Sequence, residues 1–428
     1  MRGTIVAIAV LAAACGTESP YPPGGTSSTA STTVAARHGS PTVKVMTRNL
    51  YLGADILKLA AAPGPAEALQ ASNEVWATGQ ASRFPARAAA IALEVAEARP
   101  DVLALQEVTT WRLGPPAACL AGAPIAPVAE EVAIDFLPIL LRALDRQGAH
   151  YEVAAQVTSM DAELCIGDPS DPSTLRDLRY TDHEVILVRK DVRWRDPTLP
   201  AAPALPGLVP APVSPAPGDR NGGRFAAALA TGEPATAFFT VGGSQEPVFS
   251  WRGWTAVEVE KGGSWVRIFE THAEDTFPSL ADLGMPPWYF QALQDAQLVA
   301  IVDAVYLDPG TTLPTIVLGD FNAYVEPADP SPVTYAFLTG GPFPLDPALD
   351  GISPLRDAWT ALHPGDWGFT WGFDETLRGG KLSSRLDLVL ATPELRPRAI
   401  ERTGVRDRAR TGLHPSDHAG LVATFQLR

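Results

Sequence analysis

The sequence predicts a protein of mixed α and β structure whose strands carry polar residues to one edge. The first observation is the apolar run Thr315-Ile316-Val317-Leu318, followed at once by Gly319-Asp320-Phe321-Asn322. Strand side chains repeat every second residue, so Asp320 and Asn322 leave the end of this buried strand toward one spot. The second observation is that the same pattern, an apolar strand and then a polar residue, recurs along the chain. The third is composition: 428 residues, 46% of them hydrophobic, can bury a large core.

The elements follow in order. Val43-Lys44-Val45-Met46-Thr47-Arg48 alternates as a half-buried strand and ends on Asn49. Arg83 to Arg99 has a helical pattern and leads into Pro100-Asp101-Val102-Leu103-Ala104-Leu105-Gln106-Glu107, a core strand closed by Glu107. Glu184 opens the strand Val185-Ile186-Leu187-Val188-Arg189, and Trp265-Val266-Arg267-Ile268-Phe269-Glu270 runs into Thr271-His272. Asp387 sits inside Arg385-Leu386-Asp387-Leu388-Val389-Leu390, and Ser416-Asp417-His418 precedes a last strand from Gly420 to Phe425. Seven strands would thus bring two His, at least four carboxylates and two Asn to one edge.

Taken singly, Asn49 could cap a turn and Asp387 could pair with Arg385. Glu107 at the end of so apolar a strand needs a cation or a partner, because an unpaired buried carboxylate is costly. His150, His183, His363 and His414 carry no motif and read as solvated or locally bonded. Arg252 reads either as a substrate contact or as a cation stacked between aromatic residues.

Residues 1–14 read as an export signal: Met1-Arg2 supplies one charge, Ile5 to Ala14 is apolar but too short to span a bilayer, and Ala12-Ala13-Ala14 precedes Cys15. The segment is similar to a bacterial lipoprotein signal with Ala12 in place of the usual Leu, which leaves a lipid anchor on Cys15 and simple secretion both open. Residues 15–40 read as a flexible tether and 41–428 as one large domain with a Pro-rich insertion near 196–219. That insertion is too rich in Pro for helix or ladder and reads as a surface loop. In an exported protein Cys119 and Cys165 are expected to pair, since two thiols alone make a poor metal site.

Thr47-Arg48-Asn49, Arg99-Pro100-Asp101-Val102 through Leu105-Gln106-Glu107-Val108, Thr271-His272, Gly319-Asp320-Phe321-Asn322, Arg385-Leu386-Asp387 and Ser416-Asp417-His418, in this order, resemble the endonuclease/exonuclease/phosphatase superfamily of metal-dependent phosphodiesterases. The resemblance runs from Thr42 to the C-terminus. It implies an α+β fold, a four-layer α/β/β/α sandwich of two packed mixed β-sheets. It further implies a magnesium ion, with manganese or calcium as substitutes, on the hard oxygen ligands of Asn49, Glu107 and Asp417. His418 would be the general base, oriented by Asp387, while Asp320 and Asn322 position water and phosphate oxygens. His272, kept protonated by Glu184, would donate to the transition state. Where abasic-site endonucleases carry an acidic residue two places after the Asn, this chain has Tyr51, so a second metal ligand there is absent.

The formal charge of -15 and a pI near 4.9 argue against a general duplex-binding surface. Arg396, Arg398, Arg402, Arg406, Arg408 and Arg410 crowd the approach to Asp417-His418 and read either as a grip on a polyanion or as a solvated charged loop, Glu401 and Asp407 being interspersed. Thr271-His272-Ala273-Glu274-Asp275 looks like the His-loop of sphingomyelinase-type members. The sequence therefore reads as an exported or envelope-tethered, divalent-metal-dependent phosphodiesterase of nuclease type. A phospholipase C or sphingomyelinase-type lipid phosphodiesterase is the alternative, and a non-catalytic binding lipoprotein the alternative of another class. The expected partner is a phosphodiester, nucleic acid or phospholipid head group, and the chain is expected to be a monomer.

Overall fold

The strands are apolar on both faces, and that decides the architecture. The computed structural model describes residues 40–116, 127–198, 208–210, 218–225, 237–240, 247–250, 252–276, 287–306, 313–325, 333–340, 355–406 and 408–427. The export signal, Cys15, nearly all of the tether, Cys119 and most of the Pro-rich insertion lie outside the described residues. Cys165 is disulfide-bonded.

The first sheet comprises β1 (Thr42–Asn49), β2 (Val102–Gln106), β3 (Thr110–Gly114), β4 (Glu131–Asp135), β5 (Tyr151–Asp168), β6 (Asp171–Arg189), β10 (Ala237–Thr240), β11 (Pro247–Ser250), β18 (Arg396–Thr403) and β19 (Gly420–Gln426). Its order is β10-β11-β5-β6-β2-β1-β19-β18, with β3 on β6 and β4 on β3. The second comprises β7 (Trp194–Arg195), β8 (Leu208–Pro210), β9 (Gly222–Phe225), β12 (Gly253–Lys261), β13 (Ser264–His272), β14 (Thr315–Val325), β15 (Arg356–Asp357), β16 (Trp371–Phe373) and β17 (Gly380–Ala391). Its order is β15-β17-β14-β13-β12-β9-β8, with β16 on β17 and β7 on β12. Both sheets are mixed: β1 runs parallel to β2 but antiparallel to β19, and β13 parallel to β14 but antiparallel to β12.

Alternation assigns each strand face to a different core. Leu103, Leu105, Val185 and Leu187 point outward from the first sheet against α2 (Pro65–Ala81), α3 (Phe84–Ala98) and α4 (Phe136–Arg146). Their neighbours Val102, Ala104, Ile186 and Val188 point inward and meet Val257, Val259, Ile268, Ile316 and Leu318 of the second sheet. Phe269, Val317, Leu388 and Leu390 leave the far face of that sheet to pack on α5 (Pro287–Tyr306) and α6 (Val333–Leu338). The result is the four-layer α/β/β/α sandwich, with all the described residues in one unit, Ser40–Arg428. Three short helices, α1 (Leu57–Ala60), α7 (Ala358–Leu362) and α8 (Arg408–Thr411), complete it.

Two expectations change. Glu184 does not open a strand: β6 begins at Asp171 and pairs with β5 in a long hairpin, so Glu184 lies inside it opposite Val157. Pro-rich sequence does not exclude a ladder everywhere either, since Leu208–Pro210 pairs with β9; at the end of the second sheet a proline needs to donate to no further neighbour.

Candidate active site

Register assembles the site. In the second sheet His272 lies opposite Asp320 across β13 and β14, and Asp320 opposite Asp387 across β14 and β17. In the first sheet Asn49 ends β1 opposite Gln106, and Glu107 follows on a turn at φ +56. After Asp320 the ladder is irregular and resumes only at Val325, with Asn322 and Tyr324 at positive φ. Asp320 precedes the irregularity, and alternation places it on the inward face with Ile316 and Leu318, toward the first sheet.

The side chains meet across the two sheets. Asn49 donates through Nδ2 to Glu107 Oε1 at 2.9 Å and to Asp320 Oδ2 at 3.0 Å, and its oxygen accepts from the Tyr51 amide at 2.8 Å. Asn49 is thus a bridge between carboxylates, with its oxygen already engaged by backbone. Glu107 Oε2 accepts from the Leu52 amide at 2.6 Å. His418 Nδ1 donates to Asp387 Oδ2 at 2.8 Å and turns Nε2 toward Asp320 Oδ2, 3.6 Å away. The Thr370 hydroxyl oxygen accepts from the amides of Leu386 and Asp387, both at 3.1 Å, which fixes the strand that carries Asp387.

His272 sits on the other side of Asp320, its Nε2 3.8 Å from Oδ2 and its Nδ1 3.5 Å from Glu184 Oε1. Arg252 donates to the same Nε2 at 3.0 Å and forms an ion pair with Glu274 at 3.2 Å. A guanidinium can only donate, so Nε2 accepts and the ring keeps its proton on Nδ1 toward Glu184. Arg252 thereby brings a fixed positive charge to this end of the site, beside His272. Of the aromatic residues flanking Arg252, Trp251 lies outside the described residues. Asn322 is buried but donates through Nδ2 to the Ala273 carbonyl at 3.0 Å, which ties β14 to the segment after His272.

Several supporting residues escaped the sequence reading. Arg48, fully buried, donates to the His418 carbonyl and pairs with Glu94 at 3.3 Å. Arg87 of α3, also fully buried, donates to the carbonyls of Ser82, Leu50, Tyr51 and Pro415, joining the turn after Asn49 to the loop before Asp417. Glu270 links the sheets by accepting from Gln106 Nε2 at 3.0 Å and from the Thr255 hydroxyl. A usable signal existed for Arg87 alone: it falls on the apolar stripe of Phe84, Ala88, Ile91 and Val95, where an arginine has no solvent to reach.

The electrostatics are those of a site with too many carboxylates for its cations. Burial, and then the charge of Glu107 against the pull of His418, pushes Asp417 up to about 6. Burial likewise raises Glu184 to about 8, with Arg252 and Ser159 opposing. Burial disfavours the charged His418 ring, but Asp387, Asp417 and Asp320 outweigh it and raise the imidazole to about 10. Asp320 is held low: burial would raise it, yet His418, His272 and the Asn49 amide prevail. Glu107 and Asp417 are hard oxygen donors, and the charge of Glu107 helps to raise Asp417, a donor set that fits a magnesium-class cation. Two tighter groups, Asp182-Glu184-His272 and Asp320-Asp387-His418, also have ligand atoms close enough for a metal.

A stability prediction follows from these shifts. A carboxyl raised in the folded state costs nothing while protonated in both states, and its penalty grows as pH rises from the unfolded value toward the folded one. A raised imidazole stabilises fully below 6.5 and loses that contribution as pH climbs through about 10. Both push the same way, so the chelated protein should melt progressively lower as pH rises through the window from 4.5 to about 10. Added magnesium should raise the melting temperature most at the alkaline end. Calorimetry across that range checks both; a flat or rising profile without metal would contradict the assignment.

The arginine-rich segment is not a loop at the site. Arg396–Thr403 is strand β18, antiparallel to β19, which places Arg396 and Arg398 at the end of the sheet away from His418. Arg402 donates to the Phe369 carbonyl at 2.8 Å over the Trp359 ring, while Arg406 and Arg408 are exposed. Asp407 and the Arg410 side chain lie outside the described residues. The other histidines are locally bonded: His150 to Asp145, His183 to the Val108 carbonyl and His363 to the Ile400 carbonyl, with His414 stacked on Phe373. Tyr51 donates to the Glu375 carbonyl at 3.0 Å.

The model of the Endonuclease/Exonuclease/phosphatase family matches residues 72–418. Among solved structures, the endonuclease/exonuclease/phosphatase from Beutenbergia cavernae is 19% identical, with 90% of this chain and 72% of that one covered and a TM-score of 0.45. The human Nocturnin catalytic domain with bound sulfate anion is 17% identical over 91% of this chain and 95% of that one, with a TM-score of 0.43. D. rerio TDP2 complexed with single strand DNA product is 13% identical over 90% and 98%, with a TM-score of 0.40. No curated protein matches the chain.

Proposed function

Because the chain belongs to the endonuclease/exonuclease/phosphatase family, whose members are hydrolases of phosphoester bonds, we propose that it is an exported, divalent-cation-dependent phosphodiesterase. The observation that carries the reading is the buried row His272, Asp320, Asp387 facing Asn49 and Glu107, with His418 between Asp387 and Asp320.

A phosphodiester repels nucleophiles by its own charge, so its hydrolysis needs positive charge on the phosphoryl oxygens and a base for water. Glu107 and Asp417 would hold a magnesium, manganese or calcium ion, which supplies that neutralisation and lowers the pKa of water. Asp387 fixes the His418 ring with the proton on Nδ1 and leaves Nε2 to take one from water. The imidazole can do so only when the charge of Asp417 and Asp320 is compensated, since those carboxylates otherwise keep it protonated. Asp320, held ionised, orients the attacking water, and Asn49 keeps Asp320 and Glu107 together. Arg252 supplies fixed positive charge beside His272 for the developing phosphorane oxygens.

The test is hydrolysis of bis(p-nitrophenyl) phosphate by purified protein. Chelation is expected to abolish turnover and magnesium or manganese to restore it; turnover indifferent to both would refute the reading. A panel of duplex DNA, single strands, sphingomyelin, lecithin and inositol phosphates then identifies the substrate. Arg252→Lys keeps the charge but loses the fork to His272 Nε2 and Glu274, and should slow turnover by about tenfold or more, with circular dichroism unchanged. Wild-type rates in that variant would remove Arg252 from the mechanism.

A further inference from the structure

At the end of the sandwich away from the catalytic edge, an open cavity of about 320 Å³ is lined by Arg356, Arg396 and Arg398 around Ala361, Leu362 and Pro397. All three arginines are exposed, and none of their side chains has an ion pair or hydrogen bond among the described residues. Among the described residues no carboxylate lines the cavity. In a chain of formal charge -15 this is a local field of opposite sign, set over an apolar floor. Arg179, Arg189 and Arg195 each pair with a carboxylate; Arg356, Arg396 and Arg398 pair with none among the described residues.

Register gives the pocket its place. Arg396 pairs with Gln426, and Gln426 with Thr42, so the pocket lies two strands from the start of β1, about 10 Å at the usual spacing. Arg356 reaches the same end from the second sheet, opposite Ala391, which in turn lies opposite Ile316 near the start of β14. The chain enters β1 from residues 1–39, whose sequence places Cys15 in a lipoprotein-like setting. Asn49 lies seven residues farther along β1, about 23 Å at ~3.3 Å per residue.

We propose that Arg356, Arg396 and Arg398 dock the protein on an anionic lipid surface by binding its phosphate groups, with the catalytic edge turned away from that surface. A single acyl chain binds a bilayer only reversibly, and a basic patch is the second signal that makes attachment stable. Pocket and chain entry share one end, so both signals can act together. The inference is independent of the reaction catalysed. It also sets the catalytic edge beyond the head groups of the surface that holds the protein, which suits a dissolved or polymeric substrate.

The experiment compares the full chain with Arg356→Gln/Arg396→Gln/Arg398→Gln by sedimentation with vesicles across a salt series. With phosphatidylglycerol vesicles the triple variant is expected to bind about a hundredfold more weakly, roughly fivefold per arginine, and to lose most of the salt dependence. With pure phosphatidylcholine vesicles the two proteins should be alike, and hydrolysis of bis(p-nitrophenyl) phosphate in solution should be unchanged, which also shows that the variant is folded. Equal binding of both proteins to phosphatidylglycerol overturns the proposal. So does a triple variant that keeps vesicle binding but loses affinity for a short oligonucleotide, because the pocket would then serve nucleic acid.

Discussion

His418→Ala and Asp320→Ala are each expected to lower turnover of an activated phosphodiester by about a hundredfold to ten-thousandfold while the protein stays folded. In the proposed mechanism both side chains act mainly in the transition state: one would take the proton, the other would hold the water. Their contacts are few enough to lose, since His418 spends its ring on Asp387 and Asp320 accepts from Asn49 and the Asn322 amide. The double variant should be scarcely worse than either single, because groups that act as one unit do not contribute independently. Turnover measured with saturating magnesium, beside a melting curve for each variant, decides it. Additive losses, or wild-type rates in folded single variants, would mean that the two residues do not share a step.

Gly319→Ala should be among the most damaging single changes in the chain. Gly319 has φ +146, and a Cβ there would stand 1.9 Å from the Thr271 carbonyl oxygen on the adjacent parallel strand. The methyl group can be accommodated only by prising β14 from β13, the pair that brings Asp320 beside His272. Backbone strain and overpacking together are expected to cost roughly 3 kcal/mol or more. Gly263 is the control: it too has positive φ, at +84, but a Cβ there meets nothing within 4 Å. Its alanine variant should lose only about 1 kcal/mol. Urea titration of both variants with activity assays is the check; a Gly319→Ala protein with an unchanged midpoint and rate would contradict the close approach.

The main strands and the row of polar residues were legible because strand-end motifs and alternation are local signals, whereas the two packed sheets followed from the family resemblance. Val102 to Glu107 shows both an inward and an outward apolar set, and Gly319-Asp320-Phe321-Asn322 marks a strand that ends at chemistry. Long-range register was not legible. Nothing near Glu184 announces that its strand starts at Asp171, because the Asp, Ser and Thr at the hairpin tip look like loop sequence. β18 was read as a charged loop for a related reason: half of its positions are exposed, and three of those four, Arg396, Arg398 and Glu401, are charged. Placing it as a strand reverses the meaning of those arginines, because antiparallel pairing with β19 carries the first of them to the far end of the molecule. Arg252 was visible as a residue but not as a contact, since its partners His272 and Glu274 lie one hairpin away.

Asn49 and Glu107 belong to one sheet, Asp320 and Asp387 to the other, and the Asn49 amide spans the seam. The spacing of two packed sheets, near 10 Å in general, is therefore a catalytic dimension as well as a structural one. Side chains that never approach the substrate, such as Val43, Ile186, Ile268 and Leu318 in the interlayer, act as shims that set it. Enlarging one of them would part the two halves of the site by a fraction of an ångström and mistune proton transfer in a protein that still melts cooperatively. If the proposed mechanism holds, activity would report interlayer thickness, and the volume of the buried aliphatic layer would matter to turnover as the site residues do.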